Sequence, residues 1–218
     1  LETTLTRPRA ESDVRIAILD AAELAFAEFG YGGASMRAIA REAGVNQAMI
    51  AYYFGSKEGL MIAVVGRRAS AINDERARRL DELLERGSPQ LVEIVDAFLR
   101  PAIELGRDAN RGGFAYVKLL AIHTNSTDQL AKRVISENYD HIARRFIAAF
   151  RMLAPEMSAS AAIRAYLLTL AAGMSTVGLE RRADDLADGG YDHPDTDALV
   201  DCAVAFASAG IGALMHKT

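Results

Sequence analysis

The sequence predicts an all-α protein: an N-terminal three-helix domain of the helix-turn-helix type, then a larger helical bundle, about nine helices in all. Three observations predict it. Apolar residues recur at helical spacing along most of the chain. No stretch alternates apolar and polar residues as a half-buried strand would. Between Ser35 and Leu60, two short amphipathic segments flank a glycine-bearing turn, and the start of a third helix follows.

Taken in order, Leu1 to Glu11 is polar and lacks apolar periodicity, so it reads as a loose arm. Arg7 and Arg9 give it the chemistry of a minor-groove arm, but a disordered tail is the plainer reading. Ser12 is a plausible cap for the first helix, with Leu19, Ala22, Phe26 and Phe29 spaced to face inward. Gly30 to Ser35 (GYGGAS) is a flexible turn. It is not a phosphate loop, because no strand precedes it and no Lys-Ser or Lys-Thr follows. Ser35 caps the second helix, whose apolar face is Met36, Ile39, Ala40 and Ala43. Gly44 stands where that helix must stop, since a residue without Cβ enters the left-handed region cheaply. Val45 plugs the space between the helices and Asn46 caps the third. Ile50 and Phe54 then continue the buried face, which leaves Gln47, Met49, Ala51, Tyr52 and Tyr53 outside.

Ser56 caps a fourth helix running to about Arg86. Ser88 and Pro89 start a fifth, and Pro101 should kink or break it. A short apolar helix follows Gly112 and Gly113. Thr127 opens a long helix ending before Pro155, and Ser158 caps a further one through Leu186. The polar loop Asp188 to Thr196 leads into the last helix. The domain boundary falls after Leu60, inside the fourth helix, giving domains 1–60 (arm 1–11) and 61–218.

Composition bounds the function. Half the residues are hydrophobic and a quarter charged, ordinary for a soluble globular chain. One cysteine, Cys202, excludes an internal disulfide framework and fits a reducing cytoplasm; its apolar setting marks it as a small core residue. No signal peptide and no long uncharged apolar run are evident, so neither a membrane partner nor a membrane location is expected. Net charge is −4, and residues 1–60 hold six bases against eight acids, so any nucleic-acid contact must use a local basic face. No zinc-spaced Cys/His pair and no Gly-x-Ser-x-Gly elbow occurs, so no enzyme activity, metal or cofactor is expected. His193, beside Asp192 and Asp195, reads as part of a solvated loop.

Spacing alone leaves two readings of Ser35–Leu60: an ordinary helical corner, or a helix-turn-helix whose second helix enters a DNA major groove. The run YYFGSKEGL after the turn, with ILDAAELAFAEFGYGGAS before it, resembles the TetR family of transcriptional repressors over about Arg15 to Leu60. The segment GRRASAINDERARRLDELL is similar to the PsrA-like, fatty-acid-responsive branch. The resemblance implies a dimeric, ligand-responsive repressor of double-stranded operator DNA. Its last two helices, rich in small residues from Ala171 to Gly178 and Ala203 to Gly212, form the dimer interface, and the fourth helix moves as a pendulum. A dimer also suits two recognition helices about 34–36 Å apart on a palindromic site.

By the same resemblance Tyr52, Lys57 and Ser35 contact phosphates. Arg37 has the reach for a guanine edge, Gln47 pairs with adenine and Ala51 can meet a thymine methyl. Asn46, Met49 and Tyr53 complete the candidate DNA face. The chain departs from the family pattern at Ala51, often polar in relatives, and at Tyr53, which replaces a common His. The middle helices, Leu91 to Phe150, are expected to enclose an apolar effector cavity lined by Phe98, Phe114, Tyr116, Leu119, Leu120, His123, Phe146 and Phe150. Taken singly, each of these is more often plain core. Two other functions stay open: a helical small-molecule binding protein without DNA binding, and, more distantly, a helical-bundle enzyme.

Overall fold

The computed structural model describes residues 7–108, 113–178 and 180–215, and among them it has ten helices and no strand. They are α1 (Arg7–Gly33), α2 (Met36–Glu42), α3 (Gln47–Phe54), α4 (Lys57–Arg86), α5 (Leu91–Arg107), α6 (Gly113–Asn125), α7 (Gln129–Leu153), α8 (Ala159–Gly178), α9 (Glu180–Leu186) and α10 (Thr196–Met215). The tenth arises because the helix expected from Ser158 to Leu186 forms two elements, α8 and α9. The chain divides into two compact units.

The first unit comprises residues up to Arg68 together with Lys118–Ser136. It therefore extends past the expected boundary at Leu60 and includes parts of α6 and α7. Its core is Ile18, Leu19, Ala22 and Phe26 of α1 against Ile39, Ile50, Leu60 and Met61, each at most 1% exposed. Glu23 lies in the same helical face, and its buried carboxylate accepts from Arg67 Nη2 at 2.5 Å and Arg68 Nη2 at 3.0 Å. Arg67 also reaches Asp20 at 2.6 Å, so α4 is clamped to α1. An ion pair joins Glu58 to Arg133.

Three expectations for α1 need correction. It begins at Arg7, so Ser12 is not its cap; of the expected arm, residues 1–6 lie outside the described residues. Helical structure continues to Gly33 across a break at Gly30 (φ 68°, ψ 175°), where an open turn was expected. Phe29, next to that break, is 59% exposed rather than inward, because it lies at the end of the covered face.

The second unit comprises residues 69–117 and 137 onward, built around α5, which packs on α8 and α10. Its centre is aromatic: the Phe98 ring lies 5.0 Å from Phe146 and 5.2 Å from Tyr166. Gly173 of α8 admits Leu99 so closely that a Cβ there would sit 2.7 Å from its Cδ2. Part of the small-residue pattern is thus internal packing. Pro101 does not break α5, which runs unbroken to Arg107. A proline withholds one ladder hydrogen bond, and burial of Ile103 and Leu105 beyond it keeps the helix going. α5 starts at Leu91 rather than Pro89, with the Glu93 carboxylate accepting from the Gln90 backbone N–H at 2.8 Å. That bond first, and Arg86 after it, holds the Glu93 carboxyl below its usual range. In α7 the cap is Asp128, whose Oδ1 accepts from Ala131 N–H at 2.8 Å, rather than Thr127.

α10 turns Leu199, Val200, Ala203, Val204, Ala207 and Ile211 inward. Cys202 falls on the opposite side and is exposed, not a core residue. By length and composition α8 and α10 are apolar enough to cross a membrane, contrary to the expectation that no such run occurs; a third of each window is buried within the fold.

Candidate nucleic-acid interface

The helix-turn-helix is assembled by local hydrogen bonds that its sequence encodes. Ser35 Oγ accepts from Ala38 N–H at 3.4 Å and starts α2. Gly44 takes φ +67°, and its N–H donates to the Arg41 carbonyl as the helix ends. Asn46 Oδ1 accepts from Met49 N–H at 3.0 Å and starts α3. A neutral side chain at each cap satisfies amides that would otherwise need water, worth about 1 kcal/mol apiece.

The junction of α3 and α4 is tighter. Gly55 has φ +71°, and Ser56 Oγ accepts from Gly59 N–H at 3.0 Å. A Cβ on Gly59 would lie 2.2 Å from the Phe54 carbonyl oxygen, so only glycine fits. This requirement underlies the glycine of the Ser-Lys-Glu-Gly-Leu run, and the sequence reading passed over it.

Arg37, Asn46, Gln47, Ala51 and Tyr52 are exposed, Tyr52 by 74%. Met49 and Tyr53 are half-buried, as is Phe54, which was expected to be core. The Tyr52 and Tyr53 rings meet edge to face at 5.1 Å. Partial burial first, then the charges of Glu11 and Tyr52, push the Tyr53 hydroxyl above its usual value, so it stays a neutral donor. Arg15 covers the Phe54 ring at 5.5 Å. Lys57 Nζ sits 4.8 Å from the centroid of Tyr31, whose ring stacks on Phe26. A cation over a ring face is held in place while its N–H donors remain usable. Tyr31 thus holds Lys57 in place, a contact absent from the sequence reading; its only signal was an aromatic between two glycines.

Of the eight residues expected to line the effector cavity, five fall in the second unit and three in the first. Phe98, Tyr116 and Phe146 are closed into the second unit's core, each at most 1% exposed, whereas Phe114 is 45% exposed. Leu120 and His123, with Leu119, belong to the first unit, because α6 is shared between the two. His123 Nδ1 donates to the Leu119 carbonyl at 2.8 Å, and the residue lines a cavity of about 320 Å³ with Phe26 and Tyr31. His193 bonds to Asp184 at 2.8 Å through Nε2.

Comparison with known proteins gives two family matches. "Bacterial regulatory proteins, tetR family" matches residues 18–64, and "Tetracyclin repressor-like, C-terminal domain" matches residues 96–210. The chain is 46% identical over 65 residues to the HTH-type transcriptional regulator RutR of Escherichia coli K12, covering 30% of this chain and 31% of RutR. It is 34% identical over 126 residues to the HTH-type transcriptional regulator BetI of Pseudomonas fluorescens, covering 57% of this chain and 60% of BetI. The chain therefore matches less than a third of RutR and three-fifths of BetI. The fatty acid degradation regulator FadR from Bacillus halodurans superposes with a TM-score of 0.59 at 19% identity, over 89% of this chain and 98% of that one. FadR from Bacillus subtilis, solved with stearoyl-CoA, gives 0.55 at 18% identity, over 89% and 98%. At such identities the likeness is one of fold.

Proposed function

Because the chain belongs to the TetR family of bacterial regulatory proteins, we propose that it is a dimeric repressor of a palindromic operator, released by a small hydrophobic, acyl-type effector. The observation that carries the DNA reading is the exposed row Arg37, Gln47, Ala51 and Tyr52 on a fully capped helix-turn-helix. Arg37 and Gln47 supply donors for base edges, and Ala51 supplies a methyl surface for thymine. Ser35, Tyr52, Tyr53 and Lys57 supply phosphate contacts, and Asn46 and Met49 flank them.

Dimerisation is supported by the outer faces of α8 and α10. Leu168 is 63% and Phe206 74% exposed, and they border a groove of about 510 Å³ with Ala171, Ser175 and Gly210. A contiguous apolar face of this kind is a partner surface, and a second copy of the same helices matches its small residues. The effector class is supported by the aromatic core of the second unit and by fold neighbours that include a fatty acid degradation regulator.

A mobility-shift assay on the DNA upstream of the gene tests the reading. Binding should weaken with salt, and Lys57→Ala should weaken it on every sequence while flattening the salt slope by about one phosphate per half-site. An unchanged slope would remove Lys57 from the phosphate contacts. No shift at any salt would favour instead a helical ligand-binding protein without DNA binding.

A further inference from the structure

The cavity of about 320 Å³ that His123 lines falls wholly within the first unit. Phe26 and Tyr31 of α1 and Ile122 of α6 give it apolar walls, and His123, Ser126 and Asp128 give it polar groups. Tyr31 is 37% and Ile122 47% exposed, so the cavity is not sealed. Its volume is at the lower end of the range for small-molecule sites.

Its polar groups present acceptors. His123 is 6% exposed and its Nδ1–H is committed to the Leu119 carbonyl, which leaves Nε2 an acceptor with no hydrogen bond among the described residues. Asp128 accepts from the Ser126 hydroxyl and from Ala131 N–H. Those bonds, Ser126 first, hold its carboxyl below the usual range, so it is an anion. A carboxylate has about four acceptor sites, so capacity remains. The stacked rings of Phe26 and Tyr31 add faces that attract positive charge. Lys57 Nζ lies 4.8 Å from the centroid of the Tyr31 ring. A second cation at that ring repels Lys57 and competes for its seat.

We propose that this cavity is a small-molecule site of the DNA-binding unit itself, that it takes a planar aromatic cation with N–H donors, of the amidinium type, and that occupation displaces Lys57 from Tyr31. The N–H groups donate to Asp128 and to His123 Nε2, and the aromatic ring lies against Phe26 and Tyr31. An anionic ligand would meet the Asp128 carboxylate with like charge, and a neutral one would forgo the charge-assisted bond. Displacing Lys57 weakens operator binding, and that consequence alone rests on the DNA-binding reading.

The test titrates benzamidine, benzamide and benzoate, similar in shape and different in charge, into the full chain by calorimetry. No DNA is present, and the pH is about 8, where an ordinary imidazole is neutral. The wild type should bind benzamidine about tenfold more tightly than benzamide, the scale separating charge-assisted from neutral hydrogen bonds, and benzoate least. Asp128→Asn keeps a good helix cap and removes the charge, so it should bind benzamidine and benzamide nearly equally. Tyr31→Leu should narrow the preference, and it decides if melting curves show Asp128→Asn unfolded. Equal binding of benzamidine and benzamide by the wild type overturns the site, as does binding of none of the three. A preference unchanged in the folded variants also overturns it. Operator affinity is then measured at fixed ionic strength. Saturating benzamidine should lower it severalfold in the wild type and leave Lys57→Ala unaffected. No loss in the wild type, or an equal loss in both, overturns the displacement of Lys57. A chain that binds benzamidine as expected but no operator overturns the DNA reading and leaves the cation site standing.

Discussion

Replacing Glu23 by alanine is expected to lower stability by roughly 3 kcal/mol, the low end for breaking a buried ion pair from one side. Glu23 is 3% exposed and holds both Arg67 and Arg68. Its loss leaves Arg68 without this carboxylate and Arg67 with Asp20 alone, both beside an apolar face. The arginine side chains are 23% and 17% exposed, so they recover some hydration, which sets the estimate at the low end. The clamp joins α1 to α4 within the DNA-binding unit, so operator affinity should fall as well. Chemical denaturation of the wild type and Glu23→Ala checks the figure. A loss below about 1 kcal/mol would mean that the arginines re-pair elsewhere.

A second effect of similar size is expected at the switch. In the proposed dimeric repressor, an effector releases DNA only by favouring a conformation that binds the operator less well. α4 is unbroken from Lys57 to Arg86, giving its first turns to the first unit and the remainder to the second. It is the element through which a bound effector would reach Tyr53 and Lys57. A hundredfold loss of operator affinity needs only about 2.7 kcal/mol of coupling. By linkage the operator must weaken effector binding by the same hundredfold. Calorimetric titration of effector into the free dimer and into the operator complex measures both sides. Equal affinities would rule out induction, and tighter binding on DNA would make the ligand a co-repressor.

Features set by neighbours in sequence were legible without a structure. Ser35, Asn46, Ser56 and Ser158 each cap a helix through an amide three residues on. Gly44 stops α2 for a reason internal to its own backbone. Features set by distant partners were not legible. Nothing in the sequence around Glu23 pointed to its arginines, which lie 44 and 45 residues away. Cys202 was expected in the core because α10 is apolar on both sides, and only packing on α5 chooses the inner one. In the same way α6 is one continuous apolar helix, so periodicity could not show that Tyr116 and His123 belong to different units.

The central claim is that α2 and α3 read DNA bases, and a base-by-base operator scan tests it most directly. Binding of the wild type, Arg37→Ala and Gln47→Ala would be measured on every single-base variant of the half-site at fixed salt. Each substitution should cost about 1–3 kcal/mol and abolish discrimination at one position of the half-site while leaving the others selective. Uniform weakening across all variants, with every preference retained, would contradict base readout by these residues.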